Sequence, residues 1–193
     1  MPPEEMEMTD DVLSARDRVA LLALARDQID HTLAGRGDAP EPPDGPEMKA
    51  GAFVSLHLAG RLRGCIGNFD TTRPVQKVVR EMAVAAATRD PRFPPVTPGE
   101  LQQVDIEISV LTPPRRVADS SEVTVGEHGV VVSRGYQRGV LLPQVATENG
   151  WDRQTFLEHT CLKAGLPSHA WKEEGTVIEV FTAQVFGELE KER

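Results

Sequence analysis

The spacing of apolar and polar residues predicts three main helices. Apolar positions recur at helical intervals over residues 9–34 and again over residues 74–89. A third helix is predicted to begin at the cap residue Asp152 and to run through Ala164, before Gly165 and Pro167 end it. The first helix is expected to start at Thr9 and to bury one face, formed by Val12, Ala15, Val19, Leu22, Ile29 and Leu33.

Alternating and short apolar runs predict strands between these helices. Residues 51–58 and 61–66 are separated only by Ala59-Gly60, which favours a β-hairpin. Residues 104–110 alternate strictly between apolar and polar side chains, as a half-buried strand does. The hairpin argues against a purely parallel sheet. We therefore predict an α+β fold with a mixed, mainly antiparallel sheet and flanking helices; further strands are expected at 129–133, 139–142 and 177–186, and a short helix at 143–149.

Composition and charge limit the range of functions. The chain has 193 residues, 39% of them apolar and 26% charged, which fits one globular domain with a sizeable core. We predict an acidic tail over residues 1–8 and a domain over residues 9–190, in which a larger lobe contains a smaller one. The net charge of −9 disfavours binding to nucleic acid, and no aromatic-rich basic strand supports RNA binding.

No segment predicts a membrane anchor or a cofactor site. The chain lacks an apolar run of the roughly 20 residues that span a bilayer, and its acidic start does not resemble a signal peptide. Two cysteines are too few for a disulfide framework, so we expect free thiols and a cytoplasmic location. The five histidines show no metal-binding spacing, and no nucleotide-binding glycine motif occurs. We therefore expect neither a metal nor another cofactor.

The segment Leu62-Arg63-Gly64-Cys65-Ile66-Gly67 is the most informative for chemistry. On a regular strand, Arg63 and Cys65 point to the same side, about 6–7 Å apart. A guanidinium at that range favours the thiolate, the nucleophilic form of cysteine. The glycines beside Cys65 leave room for a ligand or for another backbone to approach. Cys65 is therefore a candidate catalytic residue, with Arg63 as its charged neighbour.

A purely structural role explains the same residues. Free cysteine is often buried, and Arg63 is expected to pair with a carboxylate of the neighbouring strand, with Glu107 preferred over Asp105. Cys161 lies on an apolar helical stripe and is predicted to be a core residue. The two thiols are not expected to form a disulfide, because nothing in the sequence brings them face to face.

Two further groups of polar residues are candidate binding residues. Asp90 and Arg92 lie in a loop stiffened by prolines, where functional side chains are often found. The alternative is that Arg92 only pairs with Asp90 or caps the end of the helix. Gln144 and Glu148 lie four residues apart, on one face of the short predicted helix, and together could orient a polar ligand. A solvated helix face explains this second pair equally well.

Several motifs in order resemble the AMMECR-type domain family, known in bacteria and archaea as AmmeMemoRadiSam system protein A. The similarity covers residues 12–188 and is carried by Gly51-Ala52-Phe53-Val54-Ser55-Leu56, the segment 62–67, Asp90-Pro91-Arg92-Phe93-Pro94-Pro95-Val96, Leu141-Leu142-Pro143-Gln144-Val145-Ala146, Trp151-Asp152 with Phe156-Leu157, and the segment 161–167.

The resemblance implies a two-lobed α+β fold that encloses a cleft. It also implies two partners, a Memo-like protein and a radical-SAM enzyme, but supplies no reaction. Two functions follow as hypotheses. In the first, the chain is a component of a modification system and binds a polar substrate around Cys65. In the second, it is a non-catalytic adaptor that presents a substrate or partner to the Memo-like or radical-SAM protein.

Overall fold

A computed structural model describes residues 13–40 and 45–189 and divides the chain into two compact units. The first unit contains the described residues up to Thr112 and those from Gln184, and the second unit is Pro113–Ala183. Each unit has its own four-stranded antiparallel sheet and its own buried core. The predicted α+β class is confirmed. The predicted tail and the predicted cap Thr9 lie outside the described residues.

The first unit packs two helices on one face of a sheet. Its strands are β1 (Ala52–Leu58), β2 (Arg61–Asn68), β3 (Val104–Leu111) and β8 (Ala183–Gly187), in the order β2-β1-β3-β8. Its helices are α1 (Ala15–Leu33), α2 (Val75–Thr88) and the single turn α3 (Pro98–Leu101). Alternate residues of β1 and β3 are buried against α1 and α2, and the cluster is centred on Leu21, Ile29, Val54, Leu56, Val78, Val79, Ile106 and Ile108.

Helix α1 starts later than predicted, and its predicted apolar face is buried only in part, since Ile29 is buried and Leu22 and Leu33 are half-buried against the core. Ser14 caps the helix, because its hydroxyl accepts from the N–H of Asp17 and the Asp17 carboxylate accepts from the N–H of Ser14. Val19, predicted to be buried, is 67% exposed. The buried stripe is Leu21, Leu24, Ala25, Gln28 and Ile29. The helix contains apolar residues on both stripes, so only packing against α2 and the sheet selects between them.

The predicted hairpin is present and contains a bulge. Ala59 and Gly60 both have positive φ, 51° and 75°, as a two-residue primed turn requires. Leu56 pairs with Gly64 but His57 pairs with Leu62, so Arg63 has no counterpart on β1. The alternation that placed Arg63 and Cys65 on one face is therefore interrupted at Arg63.

The second unit is a sheet covered by helix α5. It contains β4 (Arg115–Arg116), β5 (Gly129–Arg134), β6 (Gln137–Leu141), the short α4 (Pro143–Glu148), α5 (Arg153–Lys163) and β7 (Val177–Phe181), with 3-10 turns at Ser120–Glu122 and Ser168–Lys172. The strand order is β4-β7-β5-β6. Asp152 caps α5 as predicted, accepting from the N–H of Thr155. The predicted apolar stripe of α5 is buried, and Cys161 in it has 0% exposure. The stripe consists of Phe156, Leu157, Thr160, Cys161 and Ala164.

The last predicted strand is wrong in one respect. Residues 177–186 form two strands rather than one, interrupted at Thr182. Strand β7 pairs with β4 and β5 of the second unit, whereas β8 joins the sheet of the first unit. The apolar pattern is continuous across the break, so it gives no sign that the chain changes sheets.

Gly64 sets the distance between β2 and α2 and yields a stability prediction. A Cβ at Gly64 would lie 2.2 Å from the carbonyl oxygen of Ala86, a backbone atom that cannot rotate away. Gly64→Ala must push α2 off the strand and is expected to lower the free energy of unfolding by about 2–3 kcal/mol. Gly99→Ala is the control, because a Cβ there meets nothing within 4 Å. Urea unfolding measures both, and equal midpoints for the two variants would contradict the close approach at Gly64.

Candidate functional site

Cys65 lies on an edge strand whose outer backbone groups are occupied by a loop. Strand β2 is at the edge of the first sheet, where backbone N–H and C=O groups commonly remain unpaired. At Cys65 the Asp90 carboxylate accepts from the N–H at 2.8 Å, and the Arg92 guanidinium donates to the C=O at 3.1 Å. Two side chains thus occupy the place of a fifth strand at this one residue, and Cys65 itself is half-buried.

The Asp90 carboxylate is the centre of this arrangement. Besides the N–H of Cys65, it accepts from the backbone N–H of Arg92 at 3.1 Å, from Nε at 2.9 Å and from Nη2 at 2.7 Å. Asp90 is only 4% exposed, while the side chain of Arg92 remains 54% exposed. A buried carboxylate with several donors is held in its ionised form. The loop therefore fixes both an acid and a half-exposed cation beside Cys65.

Cross-strand pairing places two more polar residues in line with Cys65. Ser55 of β1 is opposite Cys65 on one side and opposite Glu107 of β3 on the other. Directly opposed residues of an antiparallel sheet share a face, so these three side chains form a row. The Ser55 hydroxyl donates to the Cys65 sulfur at 3.2 Å. We call Cys65, Ser55, Glu107, Asp90 and Arg92 the Cys65 site.

Arg63 does not pair with Glu107, and that prediction is wrong. Its Nε donates to Glu100 at 3.1 Å, and Nη1 and Nη2 donate to the carbonyls of Pro94 and Pro95 at 2.8 and 3.3 Å. The bulge in β2 removes Arg63 from the regular alternation of side chains between the two faces of the sheet. The loop between α2 and α3 brings Glu100 to Arg63. The Arg63 side chain is 12% exposed, so its charge is compensated mainly by Glu100.

Gln144 and Glu148 lie in the second unit. Both are exposed on α4, as their spacing of four residues predicted. Helix α4 has six residues, so it offers only a short platform. The structure thus brings Cys65, Asp90 and Arg92 together in the first unit, leaves Arg63 with Glu100, and places Glu107 two strands from Cys65.

Two residues of importance were missed by sequence reasoning, and one of them had a signal. Glu100 stands three residues after Thr97 and before a buried leucine, a capping-box pattern. The structure shows this box, in which Thr97 and Glu100 cap each other. Ser55 gave a weaker signal, a polar residue between the apolar Val54 and Leu56. Its contact with Cys65 depends on the pairing register.

The comparisons with known proteins identify the family. The AMMECR1 family model matches residues 22–186. The chain belongs to the AMMECR1 family. Related proteins include one from Methanothermobacter thermautotrophicus, 44% identical with 91% of this chain and 96% of the relative covered. Another, from Methanopyrus kandleri, is 43% identical with 89% and 88% covered. An uncharacterized protein from Pyrococcus horikoshii, of which a crystal structure is known, has a TM-score of 0.80 and 37% identity, with 92% and 93% covered.

The electrostatics of this AMMECR1-family site follow from its hydrogen bonds. Bonding to Arg92 holds the pKa of Asp90 well below its usual range, with help from the N–H groups of Cys65 and Arg92. Bonding to Asp90 raises the pKa of Arg92, and the nearby Cys65 side chain contributes to the same shift. The Arg92 guanidinium, rather than that of Arg63, is therefore the cation that bonds to Cys65, through the backbone C=O, whereas Arg63 bonds to Glu100. Burial raises the pKa of the other thiol, Cys161.

Other features of the described residues bear on the remaining expectations. Both cysteines are free. Within residues 13–40 and 45–189, no group of three or more His, Cys, Asp or Glu side chains is arranged to hold a metal, and no helix has the length and apolarity to cross a membrane. Two pockets of about 650 and 580 Å³ are present, and neither is lined by Cys65. The cleft expected around Cys65 therefore stays a prediction.

The pairing of Arg63 with Glu100 predicts a pH dependence of stability. Bonding to Arg63 lowers the pKa of the Glu100 carboxyl from 4.5 to about 2. Because the folded-state pKa is depressed, the stabilisation is complete above about pH 4.5 and is lost as the pH falls toward 2. Glu100→Gln keeps a capping residue and removes the charge, so it is expected to cost about 1 kcal/mol at pH 7. The unfolding free energies of the variant and the parent, measured by urea from pH 7 to 2, should converge at the acid end.

Glu107→Gln is the matched control for this prediction, since Glu107 is the carboxylate that the sequence pattern favoured. It should cost less than half as much as Glu100→Gln at pH 7. A larger loss for Glu107→Gln, with convergence at low pH, would show that Glu107 is the partner of Arg63 in solution.

Proposed function

We propose that the Cys65 site is a thiol site that binds a polar substrate. The observation that carries the proposal is the placement of Arg92: its half-exposed guanidinium is fixed by the buried Asp90 and donates to the C=O of Cys65 at 3.1 Å. A cation held beside a half-buried thiol is the environment in which reactive cysteines occur. Cys65 is the candidate catalytic residue, and the outer edge of Arg92 is the candidate anchor for an anionic or carbonyl group of the substrate.

The backbone geometry supports a rigid site. Asp90 and Arg92 hold the N–H and the C=O of Cys65, so the sulfur is attached to a backbone that is fixed on both sides. Ser55 donates to the sulfur and fixes the direction of the thiol. Pre-organised groups of this kind cost no reordering when a substrate arrives. Glu107, the next residue of the row beyond Ser55, is the candidate for binding a polar or cationic group.

We place this site in a modification system with a Memo-like protein and a radical-SAM enzyme as partners. The resemblance of the motifs to AmmeMemoRadiSam system protein A supports this assignment, and membership of the AMMECR1 family agrees with it. In that system the chain supplies the site around Cys65. Gln144 and Glu148 are a separate candidate pair on the second unit, where they would bind a polar group.

The alternative function is that of a non-catalytic adaptor, and one observation favours it. Asp90 and Arg92 bond to the backbone of Cys65, so both would be needed to close the sheet edge even without thiol chemistry. Leu62, nearby on the same edge strand, is 41% exposed and would suit a contact with a partner. As an adaptor, the chain would use this edge to present a substrate or partner to the Memo-like or radical-SAM protein.

Thiol alkylation tests the reactive-site proposal. The thiolate displaces iodide from iodoacetamide, forms an S–C bond and loses no further group, so the rate reports access and ionisation together. Cys65 should be alkylated at least about tenfold faster than the buried Cys161 under native conditions. Arg92→Gln should slow alkylation of Cys65 at least about threefold, because the neighbouring cation is removed. Peptide mass spectrometry over time measures both rates.

The matched controls are the two arginines of β2. Arg61→Gln removes an exposed charge on the same strand, and Arg63→Gln removes the one bonded to Glu100. Both variants should slow the alkylation of Cys65 less than Arg92→Gln does. Circular dichroism confirms that every variant is folded. Faster alkylation of Cys161 than of Cys65, or an unchanged rate in folded Arg92→Gln, would exclude a reactive Cys65.

A second experiment separates the enzyme component from the adaptor. In the native host, the tagged chain should capture a Memo-like or radical-SAM protein. If the thiol is catalytic, Cys65→Ala should abolish complementation of a deletion strain and leave that capture intact. If the edge is only an interface, Cys65→Ala should complement, and Leu62→Arg should abolish the capture. If folded Leu62→Arg fails to complement the deletion strain while Cys65→Ala complements it, the adaptor function is supported and the catalytic one is excluded.

A further inference from the structure

The second unit contains a pocket that is separate from every residue of the Cys65 site. It has a volume of about 650 Å³ and lies where the chain leaves β4 and where the 3-10 turn Ser168–Lys172 leads into β7. Val117 and Ile178 form its apolar floor, since both are buried and the N–H of Val117 donates to the C=O of Ile178 at 3.0 Å. A pocket of this size accommodates a small molecule.

The rim of the pocket is positively charged. Arg116 and Lys172 both line it and are both exposed. The Lys172 ammonium lies 4.7 Å from the centre of the Trp171 ring, and this cation–π contact holds it beside the pocket. The chain as a whole has a net charge of −9, so a pocket with two cations at its rim differs in sign from the protein as a whole. An anionic ligand is the natural complement of such a rim.

One carboxylate also lines the pocket, but it is already engaged. Asp119 caps the 3-10 turn Ser120–Glu122, accepting from the N–H of Ser121 at 2.7 Å. Hydrogen bonding to Ser121 keeps the pKa of Asp119 below its ordinary value. Its negative charge therefore persists at neutral pH and offsets one of the two cations. Among the residues that line the pocket, one positive charge remains, which fits a ligand with a single anionic group.

Two polar atoms in the wall lack partners. Within the part of the chain that the structure describes, Trp171 Nε1 and Thr176 Oγ1 are buried and make no hydrogen bond. An indole N–H is a donor only, and leaving such a group buried and unpaired costs about 1–3 kcal/mol. Both residues line the same pocket. Unpaired polar groups that cluster at one pocket indicate a site whose polar requirements are met by a bound molecule.

We propose that this pocket binds a small organic anion with an apolar body. A carboxylate or phosphate group lies between Arg116 and Lys172, and the apolar body lies on Val117 and Ile178. An acceptor atom of the ligand, reached after a small rotation of the wall side chains, receives the hydrogen bond of Trp171 Nε1. The inference is independent of the thiol site, because none of these residues belongs to the first unit.

Four matched probes test the proposal with the full chain. Phenylacetate and phenyl phosphate carry both the ring and the charge. Phenylacetamide keeps the ring without the charge, and acetate keeps the carboxylate without the ring. Two-dimensional ¹H–¹⁵N NMR follows the indole N–H of Trp171, with the indole of Trp151, stacked on His159 at 3.9 Å, as an internal control. Trp171→Phe assigns the two signals.

The expected result is a saturable shift of the Trp171 indole signal with phenylacetate or phenyl phosphate, while the Trp151 signal stays in place. Phenylacetamide and acetate should each bind at least about fivefold more weakly, since each lacks one of the two parts. A larger effect with phenyl phosphate than with phenylacetate identifies phosphate esters as the preferred source of the anion, and the reverse identifies carboxylates.

Charge variants complete the test. Arg116→Gln and Lys172→Gln should each weaken binding by about three- to tenfold, because each removes one cation from the rim. Arg36→Gln in the first unit removes an equal charge far along the chain and should leave binding unchanged. Both rim variants are exposed and are expected to fold, which the dispersion of the NMR spectrum checks.

Three outcomes would overturn the proposal. Equal shifts of the two indole signals would mean that the probes bind without selecting this pocket. Equal affinity for phenylacetate and phenylacetamide would exclude recognition of the anion. Unchanged affinity in folded Arg116→Gln and Lys172→Gln would place the binding elsewhere.

Discussion

In the first unit, the arrangement of the sheet edge and its neighbouring loop depends on the hydrogen bonds of the buried Asp90 carboxylate. This carboxylate bonds to the edge strand through the N–H of Cys65 and to its own loop through Arg92. Without it, the edge strand would present unpaired backbone groups, and Arg92 would lose the partner that fixes its position. The same carboxylate therefore closes the sheet edge and sets a cation beside the thiol.

A second ion pair anchors the same loop from its other end. Glu100 caps α3 with Thr97 and also binds Arg63, while Arg63 donates to the carbonyls of Pro94 and Pro95. The loop between α2 and α3 is thus bonded to β2 at Cys65 and at Arg63. The two arginines have different partners and different roles. Arg63 is nearly covered and holds the loop, whereas about half of the Arg92 side chain remains exposed to solvent. This difference gives a physical reason to centre the thiol site on Arg92.

The two units carry different kinds of candidate binding surface. In the first, polar side chains are rigidly bonded around one half-buried sulfur, which suits chemistry or precise contact with a partner. In the second, a roomy pocket combines an apolar floor with cations at the rim. A chain with both features combines a pocket for a small molecule and a thiol site in one protein. This combination is compatible both with a component of a larger modification system and with an adaptor.

The sequence by itself determined most local structure, and tertiary contacts decided the sites. The hairpin, α2, α5 and the alternating strand β3 were all predictable, because turn residues, caps and hydrophobic period act over a few residues. The buried stripe of α1 was predictable only in part: Ile29 was expected to be buried, but Leu21 and Val19 are both apolar, and only packing against α2 and the sheet selects Leu21. The partner of Arg63 was also out of reach, because a bulge in β2 and a loop 37 residues further along the chain together deliver Glu100. Strand alternation and flanking glycines identified Cys65 as a candidate, and a proline-stiffened loop identified Asp90 and Arg92. Only the folded edge strand, which leaves one N–H and one C=O to be bonded, explains why those three residues meet.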